Sequence, residues 1–333
     1  RGRHEWQETL STGRTWTSQM PMEYVRLGRK GPEVSVVGFG AWQAGGKEWG
    51  EDFSDSTIIA AIGRSLELGV NFIDTAELYG DGHSEEVVGR ALKEHGRENF
   101  VVATKFHGEH LHRDDLVKAC DGSLSRLGID RIDLYQMHWP DPWEQVPLKE
   151  TMEALAGLVR EGKVLSVGVS NFAVRDLVEA QGLLGDVQIA SNQVRYNLLQ
   201  REVEAEVLPY CQREGISVIA WSPLAKGILT GKYTAENAPK DPVRISGKLF
   251  TRGNLQRAVP LLDTLRAVAS ERGKTMAQVS LNWLISHEGV VAIPGAKNPG
   301  QAEMNAGAAG WKLTAEEVKT IADAAERVSL SYF

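Results

Sequence analysis

From residue 34 onward the chain alternates short apolar runs with longer segments whose apolar residues recur every three to four positions. The runs are VSVVGFG (34–40), VNFIDTA (70–76), NFVVATKF (99–106), IDLYQMHW (132–139), VLSVGVSN (164–171), IASNQVRYN (189–197), ISVIAWSP (216–223) and VVAIPGA (290–296). Nearly continuous and rich in β-branched residues, they predict strands buried on both faces, as parallel sheets require. Helical spacing covers Asp55 to Leu68, where Gly69 provides a stop, and a segment opening at Ser84. Four more helices follow in DDLVKACDGSLSRLG, LKETMEALAGLVREG, RDLVEAQGLL and VEAEVLPYCQREG, and four others near 254–272, 275–287, 299–308 and 315–328. Ahead of them all, EYVRLGRKGPEVSVVGFG has the form of a hairpin turning at Lys30–Pro32.

Eight strands alternating with helices over about 250 residues is the rhythm of an α/β (β/α)8 TIM barrel. The extra features expected are an N-terminal β-hairpin, a long loop after the seventh strand and added C-terminal helices. A doubly wound sheet is the competing arrangement, but it carries a glycine fingerprint after its first strand. Here the first strand ends GFGAWQ, with Gln43 in the place of the third glycine. The barrel is therefore the expected fold, as one domain over residues 22–333. The polar stretch 1–21 has no apolar core of a signal peptide and is read as a tail outside the domain.

Composition changes this picture little. Of 333 residues, 42% are hydrophobic and 24% charged, which is ordinary for a globular protein and argues against disorder. Acidic residues outnumber basic ones by 44 to 37, so the net charge of -7 predicts no general attraction to nucleic acid or an anionic membrane. No apolar run approaches the roughly 20 residues of a membrane span. Cys120 and Cys211 lie in helical patterns without a CxxC partner and read as buried free thiols. A cytoplasmic location is the default expectation. No sustained heptad is present that would set an oligomeric state.

Chemistry in such barrels gathers where the strands end. Those ends supply Asp74, with Tyr79 just beyond it, then Lys105 and His138. A single ionisable group there is as well explained by a salt bridge or a cap, but four from three consecutive strands converge on one space. A free phenol has a pKa near 10, too high for easy proton transfer at neutral pH. An ammonium about 4 Å away would favour the phenolate by roughly 4 kcal/mol, enough to lower that value by two to three units. Asp74 would keep Lys105 charged and oriented, and His138 would hold a substrate oxygen against Tyr79. The set suits protonation of a carbonyl oxygen as hydride reaches its carbon.

Two other patterns compete. His110 and His112 in HGEHLH form an HxH pair, which invites a metal-hydrolase reading. Such a site needs further His and Asp ligands at later strand ends, and those ends supply Ser170, Asn171, Tyr196, Ser222 and Gly295 instead. No metal is expected. GLVREGKV (157–164) approximates a phosphate loop, but Val164 replaces the Ser or Thr and the loop runs from helix into strand; Gly162 and Lys163 read as a helix stop. Among the later strand ends, Ser170, Asn171 and Gln193 offer neutral hydrogen-bonding groups suited to a carboxamide, or ordinary loop caps. Trp221 is either a core tryptophan or a ring to stack on, and Lys297 precedes a helix N-terminus where a phosphate could sit.

The stretches NFIDTAELYGDGHSEEVVGRAL, VVATK, IDLYQMHWPD, VLSVGVSNF, NQVRYNLL, AWSPLAKGILTGKY and IPGA, in that order, make the chain resemble the aldo-keto reductase superfamily over about residues 24–325. The IPGAKNPGQ form is similar to its prokaryotic-type branch. The resemblance implies a catalytic tetrad of Asp74, Tyr79, Lys105 and His138, with Tyr79 as proton donor, and NAD(P)H-dependent reduction of aldehydes or ketones. It also implies that Ser170, Asn171 and Gln193 hold the carboxamide of the cofactor, while Trp221 stacks on the nicotinamide. Ser222, Leu224 and Gly227 would line the pyrophosphate, and Lys297, Gln301 and Asn305 would surround the adenosine ribose and its 2′-phosphate. The chain departs from better-known members, which have Ile-Pro-Lys-Ser where Ile293-Pro294-Gly295-Ala296 stand here, and a frequent arginine is replaced by Gln301. Lys297 favours NADPH, with NADH as the alternative. Trp42, Trp49, Phe106 and Trp139 are expected to wall a pocket for modest-sized, partly apolar carbonyl substrates. A related branch, the potassium-channel β-subunits, binds the same cofactor as a channel partner; as a resemblance that branch lacks the histidine at the HWPD position, which is His138 here.

Overall fold

A computed structural model describes residues 21–331; the expected polar tail, apart from its last residue, lies outside them. The chain opens with an antiparallel hairpin of β1 (Tyr24–Arg26) and β2 (Glu33–Ser35), with Arg26 opposite Glu33. Its turn is closed by the Leu27 N–H on the Pro32 carbonyl at 2.9 Å. The run at 34–40, expected as one strand, is divided. Val34 and Ser35 pair with the hairpin, and only β3 (Phe39–Gly40) joins the main sheet. The reason is geometric: antiparallel pairing to Tyr24–Val25 and parallel pairing to a barrel strand need different chain directions.

Seven further strands follow in chain order: β4 (Phe72–Asp74), β5 (Val101–Phe106), β6 (Leu134–Met137), β7 (Val167–Ser170), β8 (Ile189–Arg195), β9 (Ser217–Trp221) and β10 (Val290–Ala292). Each pairs in parallel with its sequence neighbour. Parallel bridges Val37–Ala292 and Gly40–Gly295 join the first strand region to the last and close the barrel.

Helices α1 (Asp55–Glu67), α2 (His83–His95), α3 (Arg113–Leu127), α4 (Leu148–Arg160), α5 (Val174–Leu183) and α6 (Val207–Glu214) succeed β3 to β8 in turn. After β9 come the short α7 (Pro242–Ile245) and the longer α8 (Arg252–Arg272) and α9 (Met276–Ile285); α10 (Pro299–Ala306) and α11 (Ala315–Glu326) follow β10. Helix α2 opens at His83, one residue before the expected Ser84. Gly82, at φ 92, precedes the helix, while the buried Ser84 hydroxyl donates to the Ala41 carbonyl at 2.7 Å and bonds the Thr75 hydroxyl at 2.7 Å. Ser84 thus ties the first turn of α2 to the strand ends.

Strand parity organises the interior. Phe72, Ala103, Leu134, Ile219, Val291 and Ile293 form an inner cluster, and Leu27 and Val34 of the hairpin complete it from below. The hairpin therefore plugs one end of the barrel; its Gly28 N–H reaches Ser217 Oγ at 2.9 Å. Alternate residues such as Ile73, Val102, Tyr135 and Ala220 face the helix layer. Both cysteines are buried and free. No helix among the described residues is long and apolar enough to cross a membrane.

Candidate active site

The parity that packs the barrel floor also builds its mouth. Two residues beyond Phe72, Ala103 and Leu134, the same inward face presents Asp74, Lys105 and Gln136, all buried. After β4 the chain turns through Gly80, Asp81 and Gly82, each with positive φ. This turn lays the Tyr79 phenol over Lys105. Gly80 has no substitute there, because a Cβ would lie 1.9 Å from the Gly45 carbonyl oxygen. Lys105 Nζ donates to Asp74 Oδ1 at 2.6 Å, to the Thr75 carbonyl at 2.7 Å and to the Tyr79 hydroxyl at 3.3 Å. The Tyr79 and His138 rings meet edge to face with centroids 5.7 Å apart. The four ionisable residues singled out in the sequence are thus brought together.

Their electrostatics differ from the sequence argument at one point. Burial pushes the Tyr79 phenol above its ordinary value, and the Lys105 charge offsets only part of that. The expected lowering does not occur, because the same enclosure that brings the ammonium close also removes water from the phenolate. Burial pulls Lys105 down, but the neighbouring Asp74 and Tyr79 outweigh it and hold the ammonium above the usual lysine range. Burial, with the Lys105 charge, brings His138 down to about 3, so its imidazole is neutral at physiological pH. The site therefore combines a protonated phenol, a firmly charged ammonium and a neutral imidazole.

Asp74, Tyr79 and His138 line a cavity of about 540 Å³, with Lys105 buried behind them. Trp42, Trp49 and Trp139 line it, as do Ser170, Asn171, Gln193, Trp221 and Ser222. Trp42 stands edge-on to Trp49, centroids 4.9 Å apart, and nearly parallel to Tyr79 at 6.0 Å. Phe106 is not part of this wall. It is fully buried in the helix-facing core, 5.2 Å from the Tyr135 ring. Lys105 points into the barrel, so Phe106, one residue later, must point out.

Asn171, at φ 63, donates to the His138 carbonyl at 3.2 Å and the Ser170 hydroxyl at 3.0 Å, and accepts from Trp221 Nε1 at 3.0 Å. Leu224 and Gly227 belong to the turn after β9 and do not line this cavity. Lys297, Gln301 and Asn305 gather around α10: Gln301 Oε1 accepts from the Lys297 N–H at 2.9 Å, and Asn305 donates to the Gly295 carbonyl at 3.1 Å. Lys297 Nζ meanwhile contacts Asp52 Oδ1 at 2.8 Å and the Trp49 carbonyl at 2.5 Å.

The two histidines of the HxH pair turn to separate carboxylates. His110 Nδ1 lies 2.7 Å from Glu77 and His112 Nδ1 3.2 Å from Glu150. Among the described residues no group of three or more His, Cys, Asp and Glu side chains is arranged to hold a metal. Sequence reasoning missed Gln136, whose amide reaches Asp74 Oδ2 at 3.0 Å. The signal was available: Gln136 is a polar residue in an apolar run, on the same parity as Leu134 and His138. It also missed Asp52 as the partner of Lys297, which no local pattern marks.

A sequence profile of the Aldo/keto reductase family matches residues 36–326. The chain is 36% identical over 312 residues to the aldo-keto reductase YhdN of Bacillus subtilis (strain 168), covering 90% of this chain and 92% of that one. It is 32% identical over 288 residues to a probable voltage-gated potassium channel subunit beta of Oryza sativa subsp. japonica, covering 82% and 86%. A crystal structure of an aldo-keto reductase from Klebsiella pneumoniae in complex with NADPH superposes with a TM-score of 0.74 at 34% identity, covering 91% of this chain and 94% of that one.

Proposed function

Because this chain belongs to the Aldo/keto reductase family, we propose that it is an NADPH-dependent oxidoreductase that reduces small aldehydes or ketones to alcohols, with Tyr79 as the proton donor. The observation that carries the reading is the buried contact chain Asp74–Lys105–Tyr79, with His138 beside the phenol at the cavity wall. A solved relative that binds NADPH supports the choice of cofactor.

The residues present fit a dinucleotide. Beyond β9, Ser222, Ala225 and Lys226 adopt positive φ angles of 49°, 49° and 53°, followed by Gly227 at 105°. Left-handed non-glycine residues cost of order 1–3 kcal/mol each and collect where backbone groups serve a ligand. Lys226 and Arg244 lie beside the aromatic wall, 5.7 Å from the Trp42 ring and 4.9 Å from the Trp49 ring respectively, and Lys297 stands close by. These are cations in a chain of net charge -7. A bound nicotinamide dinucleotide would supply the hydride.

The chain's own residues would do the rest. Ser170, Asn171 and Gln193 would hold the carboxamide and Trp221 the ring. Ser222, Leu224 and Gly227 would hold the pyrophosphate, and Lys297, Gln301 and Asn305 the adenosine end. Tyr79 Oη would deliver its proton to the carbonyl oxygen as charge builds there. Lys105 makes the resulting phenolate tolerable in a dry site, and Asp74 keeps Lys105 in place. The neutral His138 would donate a hydrogen bond to the substrate oxygen, orienting it without competing for the proton. Trp42, Trp49 and Trp139 would exclude water and favour partly apolar substrates.

The test is Tyr79→Phe. It should lower carbonyl reduction by at least about a hundredfold, the usual scale for a general acid, while NADPH binding by tryptophan quenching stays within about twofold. Retention of more than half the activity would remove Tyr79 from the role. Wild-type protein that binds NADPH but reduces no aldehyde or ketone would refute the reductase reading.

A further inference from the structure

Asp74 is held on both of its oxygens, and the second one is gripped by two amides. Gln136 Nε2 from β6 donates to Oδ2 at 3.0 Å and Gln193 Nε2 from β8 at 2.7 Å, while Oδ1 takes Lys105. A carboxylate only accepts, so both amides must present their nitrogens to it. Gln193 Nε2 also lies 3.3 Å from Gln136 Oε1, which links the two amides and leaves the Gln193 carbonyl oxygen as the end available to a ligand. Gln136 and Asp74 are almost wholly buried.

The neighbouring strand is cut to fit. Gly168 of β7 is in register with Gln136, and a Cβ there would lie 2.9 Å from Gln136 Cγ. The charged and titratable groups that face Asp74 are Lys105 from β5 and Tyr79 from the turn after β4, with His138 beyond the phenol. β6 and β8 contribute only the two neutral amides. We propose that Gln136 is a positioning residue for the reductase: with Gln193 it clamps the outer oxygen of Asp74, fixing the carboxylate that anchors Lys105 beneath Tyr79.

The inference rests on the reductase reading, and the physical argument is short. A buried carboxylate is held by its hydrogen-bond donors as well as by its counter-ion. Without Gln136, the Asp74 charge concentrates on fewer donors and draws Lys105 away from the phenol. The alcohol-oxidation direction needs the phenolate, so its rate should then rise only at higher pH.

The experiment compares wild type, Gln136→Leu and Gln136→Glu as holoenzymes, measuring kcat and KM for carbonyl reduction with NADPH and the pH profile of alcohol oxidation with NADP+. In Gln136→Leu, kcat should fall at least about tenfold, the scale of one hydrogen bond to a charged group, with KM within about twofold. The oxidation midpoint should move to higher pH. Gln136→Glu keeps the volume, and its protonated carboxyl can donate to Asp74. It should be active in acid and lose activity as the introduced carboxyl ionises over roughly pH 5–8. This variant decides the matter if the leucine variant does not fold. Wild-type kcat and pH profile in Gln136→Leu, or wild-type pH dependence in Gln136→Glu, would overturn the assignment while leaving the reductase standing. A wild type that turns over no carbonyl would overturn both.

Discussion

The contact between Lys297 and Asp52 sets up a measurable competition. Lys297 Nζ lies 2.8 Å from Asp52 Oδ1; its own side chain is 13% exposed and that of Asp52 is 72% exposed. The hydrogen bond and charge of Lys297 keep the Asp52 carboxyl below its ordinary value, so it is ionised at neutral pH. If Lys297 receives the 2′-phosphate of NADPH, that phosphate must replace the Asp52 carboxylate. Asp52→Asn should therefore tighten NADPH binding. An ion pair with so exposed a member is worth about 0.2–1 kcal/mol, so the gain is at most about fivefold in Kd. NADH has no 2′-phosphate and should bind with unchanged affinity.

Lys297→Met should act in the opposite sense. Losing a charge-assisted bond of about 1.5–3 kcal/mol weakens NADPH by roughly 10- to 150-fold, again sparing NADH. In the Lys297→Met background, Asp52→Asn should have no effect, because the two residues act through one contact. The assay is a tryptophan-fluorescence titration with each nucleotide, which reads binding apart from turnover, repeated at raised salt, where the Asp52→Asn gain should shrink. If Asp52→Asn leaves NADPH unchanged, or tightens NADPH and NADH alike, Lys297 is not selecting the phosphate.

Two further expectations separate packing from chemistry. Phe106→Ala should lower stability by about 3–5 kcal/mol, as for an aromatic removed from a core, and leave the ranking of carbonyl substrates unchanged; a changed ranking with unchanged stability would return Phe106 to the pocket. Glu317 caps α11 and bonds Arg272, which lowers its pKa to about 2 from 4.5. Its folded-state value is depressed, so its contribution is complete above the unfolded value and lost as pH falls through about 2. Glu317→Gln should cost about 1–2 kcal/mol at pH 7 and close to nothing at the acid end; an equal loss at both ends in denaturant melts would show that the pair contributes nothing.

What could be read from the chain follows from periodicity. Continuous apolar runs separated by helical spacing imply a parallel sheet with helices on its outside, and eight repeats imply closure. Asp74, Lys105 and His138 stood out because each interrupts or ends such a run. The same rule, applied at single-residue resolution, also places Phe106 outside the barrel and Gln136 inside it, since side chains in a strand alternate.

Tertiary structure decided what depends on distance between segments far apart in sequence. Whether Lys105 lowers the Tyr79 phenol depends on how much water burial removes, and here burial wins. The division of residues 34–40 between hairpin and barrel depends on which partner strand lies alongside. Asp52 meets Lys297 across 245 positions, and Gln193 reaches Asp74 across 119. Local sequence carries hydrophobic pattern and backbone preference, whereas the field at a buried charge is the sum over every group the fold places around it.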